Sequence, residues 1–217
     1  MGKLGKLISA HTQLVLLTAT LPPSMEHQLF AQIRHQPEEV SIFRMCTTRS
    51  NIRYLVWWPS VPSHVGNGIT AWMECNVVQA GICWFMRQAA PGKTVVYAGA
   101  IKQVKALAQQ LRCAAYSRET VDKSGVLNQF IDGRSQVIAA TSALGMGVDI
   151  PDIRLVIHMG TPYTLLDYAQ ESGQAGRDRQ PSIAVIIQPM GWDTPPVWME
   201  DIPGHELQQM QRYMDGQ

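Results

Sequence analysis

Apolar and polar positions alternate most regularly from about residue 93 onward, where short apolar runs are separated by segments of helical period. "TVVYAGA", residues 94–100, reads as a buried strand. "IKQVKALAQQL", residues 101–111, reads as a helix with Ile101, Val104, Ala108 and Leu111 on one face. A second strand follows over 113–117, then a helix entered near Asp122 and stopped by Gly133. A third strand is predicted over 135–143 and a fourth over 153–160, then a helix over 164–173 and a fifth strand over 182–188. Strands alternating with helices predict an α/β fold with a doubly wound, mainly parallel sheet.

Upstream, "QLVLLTATLPP" is a fully apolar run that reads as a strand ending at Pro22 and Pro23, with Ser24 as the cap of a helix over 25–35. "NIRYLVWWP", residues 51–59, alternates as a strand does, residues 59–69 read as a loop, and residues 70–89 read as one long, largely buried helix. The pattern divides the chain into a leading segment, 1–48, a main domain, 49–190, and a tail, 191–217.

Composition narrows the class. The 217 residues, 46% hydrophobic and 16% charged, suit a folded enzyme or binding domain and exclude a wholly disordered chain. The longest apolar stretch near residue 80 is broken by Gln79 and Gly81, so no membrane span is expected, and an intracellular location follows. Cys46, Cys75, Cys83 and Cys113 form no CxxC pair, and no histidine pair has metal-ligand spacing, so no metal and no zinc are expected. The net charge of +1 is too small for a purely electrostatic DNA binder. Its distribution is uneven: residues 87–134 hold eight Lys/Arg against three Asp/Glu, whereas 193–217 hold five acids and one base, Arg212. The tail is acidic.

Three short segments could carry chemistry. "PGKT", residues 91–94, ends like a phosphate loop, but the position five before Gly92 is Arg87 and Lys93 leads into a strand rather than a helix, so Pro91 and Gly92 read as a turn. "ATSALGMGVDIPDIRLVIH", residues 140–158, ends a strand in Thr141 and Ser142, whose hydroxyls can face an anion. Gly145 and Gly147 then permit tight turns, and Asp149 offers a carboxylate; an ordinary strand-to-helix turn with a buried aspartate has the same pattern. "QESGQAGRDR", residues 170–179, taken alone reads as a solvated helix end in a glycine-rich turn; the same pattern leaves Arg177 able to stabilise charge on a transferring phosphoryl group and Gln170 able to bond a nucleotide or a loop of a neighbouring domain.

Taken in order, "LLTATLPP", "TVVYAGAIKQVKALAQQL", "VIAATSALGMGVDIPDIRLVIH" and "YAQESGQAGRD" resemble motifs III, IV, V and VI of RecQ-type DNA helicases of superfamily 2, the fungal members in particular. The resemblance covers roughly residues 14–190 and implies the end of a first RecA-like domain followed by a second. It implies that Thr18, Ala19 and Thr20 couple the nucleotide site to the DNA track, and that Thr141, with Ser142 and Lys102, contacts DNA. It further implies that Gly147 and Asp149 face the nucleotide and that Gln170 and Arg177 belong to motif VI, Arg177 being the arginine finger. ATP and Mg²⁺ would be the cofactors of the complete two-domain motor, which steps 3′ to 5′ along single-stranded or partly duplex DNA in the nucleus, with the first RecA-like domain as partner in cis or trans.

The departures from the family pattern matter too. Gln174 stands where the family has an arginine, Ala100 and Ile101 where it has Ser and Arg, and Ser117 where a histidine is common. The family's Walker A lysine and Walker B acids precede motif III and are not found in these residues, so the chain is expected not to hydrolyse ATP alone and to bind no cofactor by itself. A non-catalytic single-strand-binding module, or a decayed helicase copy, remains the alternative.

Overall fold

The computed structural model describes residues 14–18, 21–44, 49–62, 65, 71–145, 149–190 and 204–216. The chain divides into two compact units, Met1–Arg49 and Ser50–Gln217.

In the first unit a 3-10 turn, Pro23–Met25, leads into helix α1, Glu26–Ile33, and a second such turn spans Pro37–Glu39. Helix α1 opens after Met25 rather than at Ser24, buries Phe30 and Ile33, and ends where Arg34 takes a left-handed conformation at φ 55°. Arg44 donates to the carbonyl of Leu21 at 2.9 Å and pairs with Glu26. Leu14–Thr18, predicted as a strand, joins no ladder, and Leu14, Val15, Leu16 and Leu17 are exposed. An apolar run becomes a strand only where a neighbouring strand accepts its backbone bonds.

The second unit is built on a six-stranded sheet: β1 (Ile52–Trp57), β2 (Lys93–Ala98), β3 (Ala114–Tyr116), β4 (Val137–Ala140), β5 (Ile153–Met159) and β6 (Ser182–Ile187). Every pairing is parallel and the order is β1-β6-β5-β2-β4-β3. Such a sheet needs cover on both faces, which is why β2 and β5 are buried along their whole length.

Side-chain alternation sorts the cover. Val96, Leu155, Ile157 and Val185 face a cluster with Val78, Ile82 and Phe85 of helix α2 (Asn76–Gln88) and Val104 and Leu107 of α3 (Ile101–Leu111). Val95, Tyr97, Ile138 and Val156 face the opposite way, towards Phe130 of α4 (Lys123–Ile131) and Ala175. Tyr168 of α5 (Leu165–Ser172) shares a third cluster with Ile186 and with Met210 and Met214 of α6 (Gly204–Met214), a helix within the residues read as an acidic tail.

The long helix predicted from residue 70 starts only at Asn76. Trp72 and Met73 instead form a buried turn, held by Gln79 Nε2 donating to the Met73 carbonyl at 2.5 Å. Helix α2 then lies so close to β1 that a Cβ on Gly81 would come within 2.1 Å of the Trp57 ring, which explains a glycine in mid-helix. The third predicted strand is shorter than expected because Ser142–Leu144 coils into a 3-10 turn.

Strand order reverses at β2, which lies between β4 and β5. The chain leaving β2 enters α3 on one face and the chain leaving β5 enters α5 on the other, so a crevice opens between their carboxyl ends.

Candidate functional site

At that crevice a small cleft of about 30 Å³ is lined by Tyr97, Gly99, Ser142, His158, Thr161 and Glu171, among others. Tyr163 closes one side by donating its hydroxyl to the Gly99 carbonyl at 2.9 Å. Desolvation raises the Tyr163 pKa, and the Asp167 and Glu171 carboxylates add to the shift, so this hydroxyl remains a donor.

Thr141 and Ser142 stand where β4 ends at the same edge of the sheet. Thr141 Oγ1 accepts from the Ala143 amide at 3.4 Å, and the turn closes as the Leu144 amide reaches the Thr141 carbonyl at 3.1 Å. Ser142 is exposed and lines the cleft. Lys102 is exposed in the first turn of α3, which begins at the carboxyl end of β2. One edge of the sheet therefore carries the three residues assigned to a DNA track. Gly147 lies outside the described residues, as do Ala19 and Thr20; Thr18 is exposed in the first unit.

At the opposite edge the chain passes Asp149 and enters β5. Arg177 Nη1 donates to Asp149 Oδ1 at 2.9 Å, joining two segments that are 28 residues apart. Asp149 is not the buried carboxylate its pattern allowed, for its side chain is 83% exposed. Gln170 is exposed on α5, whose first turn is capped by Thr164 Oγ1 accepting from the Asp167 amide at 3.0 Å.

The turn bearing Arg177 is held from several directions. The Gly176 amide donates to the Ile153 carbonyl at 2.8 Å, and Asn51 Nδ2 donates to the Gly176 and Gln180 carbonyls, each at 2.9 Å. Next to it, the buried Arg154 guanidinium grips Asp178 through Nη1 at 3.1 Å and Nη2 at 2.5 Å, a two-pronged pair that holds the carboxyl below its usual range. Fixing both neighbours of Arg177 keeps its stem in place, while its side chain stays 36% exposed.

Between the two edges runs a buried polar row that the sequence did not reveal. His158 Nε2 and Glu171 Oε2 meet at 2.9 Å, pinning α5 to β5. The His158 ring stacks on Tyr97 at 5.2 Å. Burial, with the Glu171 carboxylate adding, pushes the Tyr97 hydroxyl far up, opposed by nearby Gln174 and Arg177. Gln174 is itself buried: a Cβ on Gly145 would stand 3.4 Å from its Nε2. The side chain at 174 thus faces the interior rather than an open phosphate site. The signal available in sequence was a histidine in the apolar run "IRLVIHMG" and an acid at Glu171, three residues after Tyr168 on the inward face of α5.

Lys93 begins β2 and forms an ion pair with Asp152 at 2.6 Å, which excludes it from a phosphate loop. Ser117 is buried and its Oγ accepts from the Glu119 amide at 3.2 Å, and the Ala100 amide donates to Gln103 Oε1 at 2.9 Å. Both departures from the family pattern are thereby absorbed into turn and helix capping. Among the described residues no group of three or more His, Cys, Asp or Glu could hold a metal, and no helix is long and apolar enough to cross a membrane.

The family described as the helicase conserved C-terminal domain matches residues 76–179, from the first residue of α2 to just past Arg177. Over 190 residues the chain is 30% identical to mouse ATP-dependent DNA helicase Q5, and over 187 residues 30% identical to the RecQ-like DNA helicase blm-1 of Caenorhabditis elegans. Residues 76–179 form a helicase C-terminal domain of RecQ type.

The two alignments cover 83% and 80% of this chain but 19% and 17% of those proteins, so the RecQ-type chain spans less than a fifth of either relative. With the Bacillus subtilis protein RecS it shares 39% identity over 108 residues, 46% of this chain and 22% of that one. The solved structure of Saccharomyces cerevisiae Dbp5, bound to RNA and ADP BeF3, matches 94% of this chain and 49% of its own with a TM-score of 0.65. At 17% identity that likeness carries the fold, which is RecA-like.

Proposed function

We propose that this chain supplies the second motor domain of an ATP-dependent 3′ to 5′ DNA helicase of the nucleus. Thr141, Ser142 and Lys102 contact the backbone of single-stranded or partly duplex DNA at the carboxyl edge of the sheet. Arg177 acts as the arginine finger on a nucleotide held by the first RecA-like domain, with Gln170, Gly147 and Asp149 on the nucleotide side and Thr18, Ala19 and Thr20 as the coupling segment. The observation that carries this reading is the state of Arg177: a braced turn and a partly exposed head, paired among the described residues with an exposed carboxylate.

A finger works by placing a rigid guanidinium against charge that develops on the phosphoryl oxygens. Asp149 serves as its partner when no nucleotide is bound, and a γ-phosphate with its greater charge displaces that partner. The complete motor uses ATP and Mg²⁺. Among these 217 residues no GxxxxGK[ST] loop cradles phosphates, and the residues present do not hydrolyse ATP alone.

The test is ATP hydrolysis by the purified chain with and without single-stranded DNA, then by a protein in which it is joined to a first RecA-like domain. The joined protein should turn over and Arg177→Ala should lower its kcat by about three orders of magnitude. DNA-stimulated turnover by the 217-residue chain itself, abolished by Arg177→Ala, would overturn the division of labour. If neither form turns over but the chain binds single strands with steep salt dependence, a non-catalytic binding module is the correct reading.

A further inference from the structure

Helix α6 is not needed to cover the centre of the sheet. Its buried residues, Met210 and Met214, belong to a core cluster separate from the two that line β2 and β5, and that cluster contains Tyr168 of α5 and Ile186 of β6. Tyr54, Val56 and Trp58, from β1 and the residue after it, border the same cluster. The helix therefore touches the motor through α5 and the β1–β6 side of the sheet.

From α6 a row of rings enters the polar interior. Tyr213 packs on Tyr168 with centroids 5.2 Å apart and donates its hydroxyl to the Tyr168 hydroxyl at 3.3 Å. Tyr168 meets the His158 ring edge-on at 5.1 Å, and His158 stacks on Tyr97 at 5.2 Å. His158 is also the residue that grips Glu171. A second contact reaches the cleft, where Thr161 Oγ1 donates to Met214 Sδ at 3.9 Å.

We propose that α6 is a positioning element of the motor: Tyr213 and Tyr168 hold α5 in register on β5 and so fix the approach of Arg177. The proposal rests on the reading of Arg177 as the finger and adds the element that aims it. Glu171, Ser172 and Tyr168 are the buried face of α5, and only four residues lie between Ser172 and Arg177. A shift of α5 along the sheet is thus passed to the turn with little chain to absorb it. Ring pairs such as the edge-on His158–Tyr168 and the tilted Tyr168–Tyr213 suit this task because their attraction depends on orientation as well as on area buried.

The test uses the 217-residue chain with Tyr213→Ala and the conservative Tyr213→Phe, which keeps the ring. Hydrogen exchange in residues 165–177 should quicken on the order of tenfold in Tyr213→Ala while β2 and β5 keep their protection. The Nε–H resonance of Arg177 should shift or broaden in that variant, and Tyr213→Phe should restore both signals. Unchanged exchange over 165–177, or an equal rise throughout the sheet, would overturn the proposal, as would an unmoved Arg177 resonance. These readouts need no ATP, so their failure is distinct from the failure of the finger reading, which the Arg177→Ala kinetics decide.

Discussion

Arg177 and Asp149 are joined by a hydrogen bond of 2.9 Å between a half-exposed guanidinium and a carboxylate that is 83% exposed. Both belong to segments singled out by their glycines, and the fold brings the two together at the entry to β5. An ion pair this open is worth about 0 to 1 kcal/mol, because water solvates both partners well when they part.

Asp149→Ala should therefore leave the thermal midpoint of the chain nearly unchanged, by differential scanning calorimetry at low and at moderate salt. In the joined two-domain protein the same change should alter the ATP dependence of the rate far less than Arg177→Ala alters kcat. A marked fall in stability would show that the pair is structural rather than a resting contact.

Gly176 adopts φ +54°, and a Cβ there would stand 2.4 Å from Asn51 Nδ2, 2.6 Å from Ser182 Oγ and 2.7 Å from the Gln180 carbonyl. Gly176→Ala combines an unfavourable backbone region with three close contacts, two of them to groups that hold the turn. We expect a loss of about 2 kcal/mol or more in urea unfolding. A loss under about 0.5 kcal/mol would mean the turn can shift freely, which its hydrogen bonds argue against.

Acid should weaken the same turn. The Arg154 guanidinium holds the Asp178 carboxyl below its ordinary value, so the native state favours the ionised form. For a depressed carboxyl the stabilisation is fully present above its unfolded pKa and is lost as pH falls through the lower, folded one. Asp178→Asn should flatten the acid limb of the stability curve below about pH 4 and leave the limb above neutral pH unaltered. An acid limb identical to that of the unsubstituted chain would remove Asp178 from this role.

The thiols differ by environment. Cys83 is exposed on α2, whereas desolvation pushes the Cys113 thiol up to about 11. Alkylation proceeds through the thiolate, so at pH 8 iodoacetamide should modify Cys83 first and Cys113 slower by at least about a hundredfold. Peptide mass mapping over time checks the order, and equal rates would contradict the burial of Cys113.

The strands and helices of the main domain were legible because each carries its own period. The mostly apolar runs at 94–100 and 153–160 read as strands buried on both faces, and the alternating helices required them to be parallel. The start of α2 was less legible: Trp72 and Met73 are apolar enough to extend the helical pattern, yet tertiary packing turns them into a buried corner. Leu14–Thr18 reads as a strand on composition alone, but a ladder is a property of two segments and its partner is not written in the run itself.

By itself the sequence determined the doubly wound sheet, the two glycine-rich segments and the family they belong to, since these rest on local period and on residue types at fixed spacing. Tertiary structure decided the rest. It brought Asp149 to Arg177 and paired His158 with Glu171 inside an apolar strand. It turned Gln174, which spacing alone presents as a charge missing from a phosphate site, into the buried neighbour of Gly145 and Tyr97. The physical reason is one of range. Period and capping act over a few residues, whereas the partner that sets a polar group's hydration and charge comes from a distant segment that only the fold brings near.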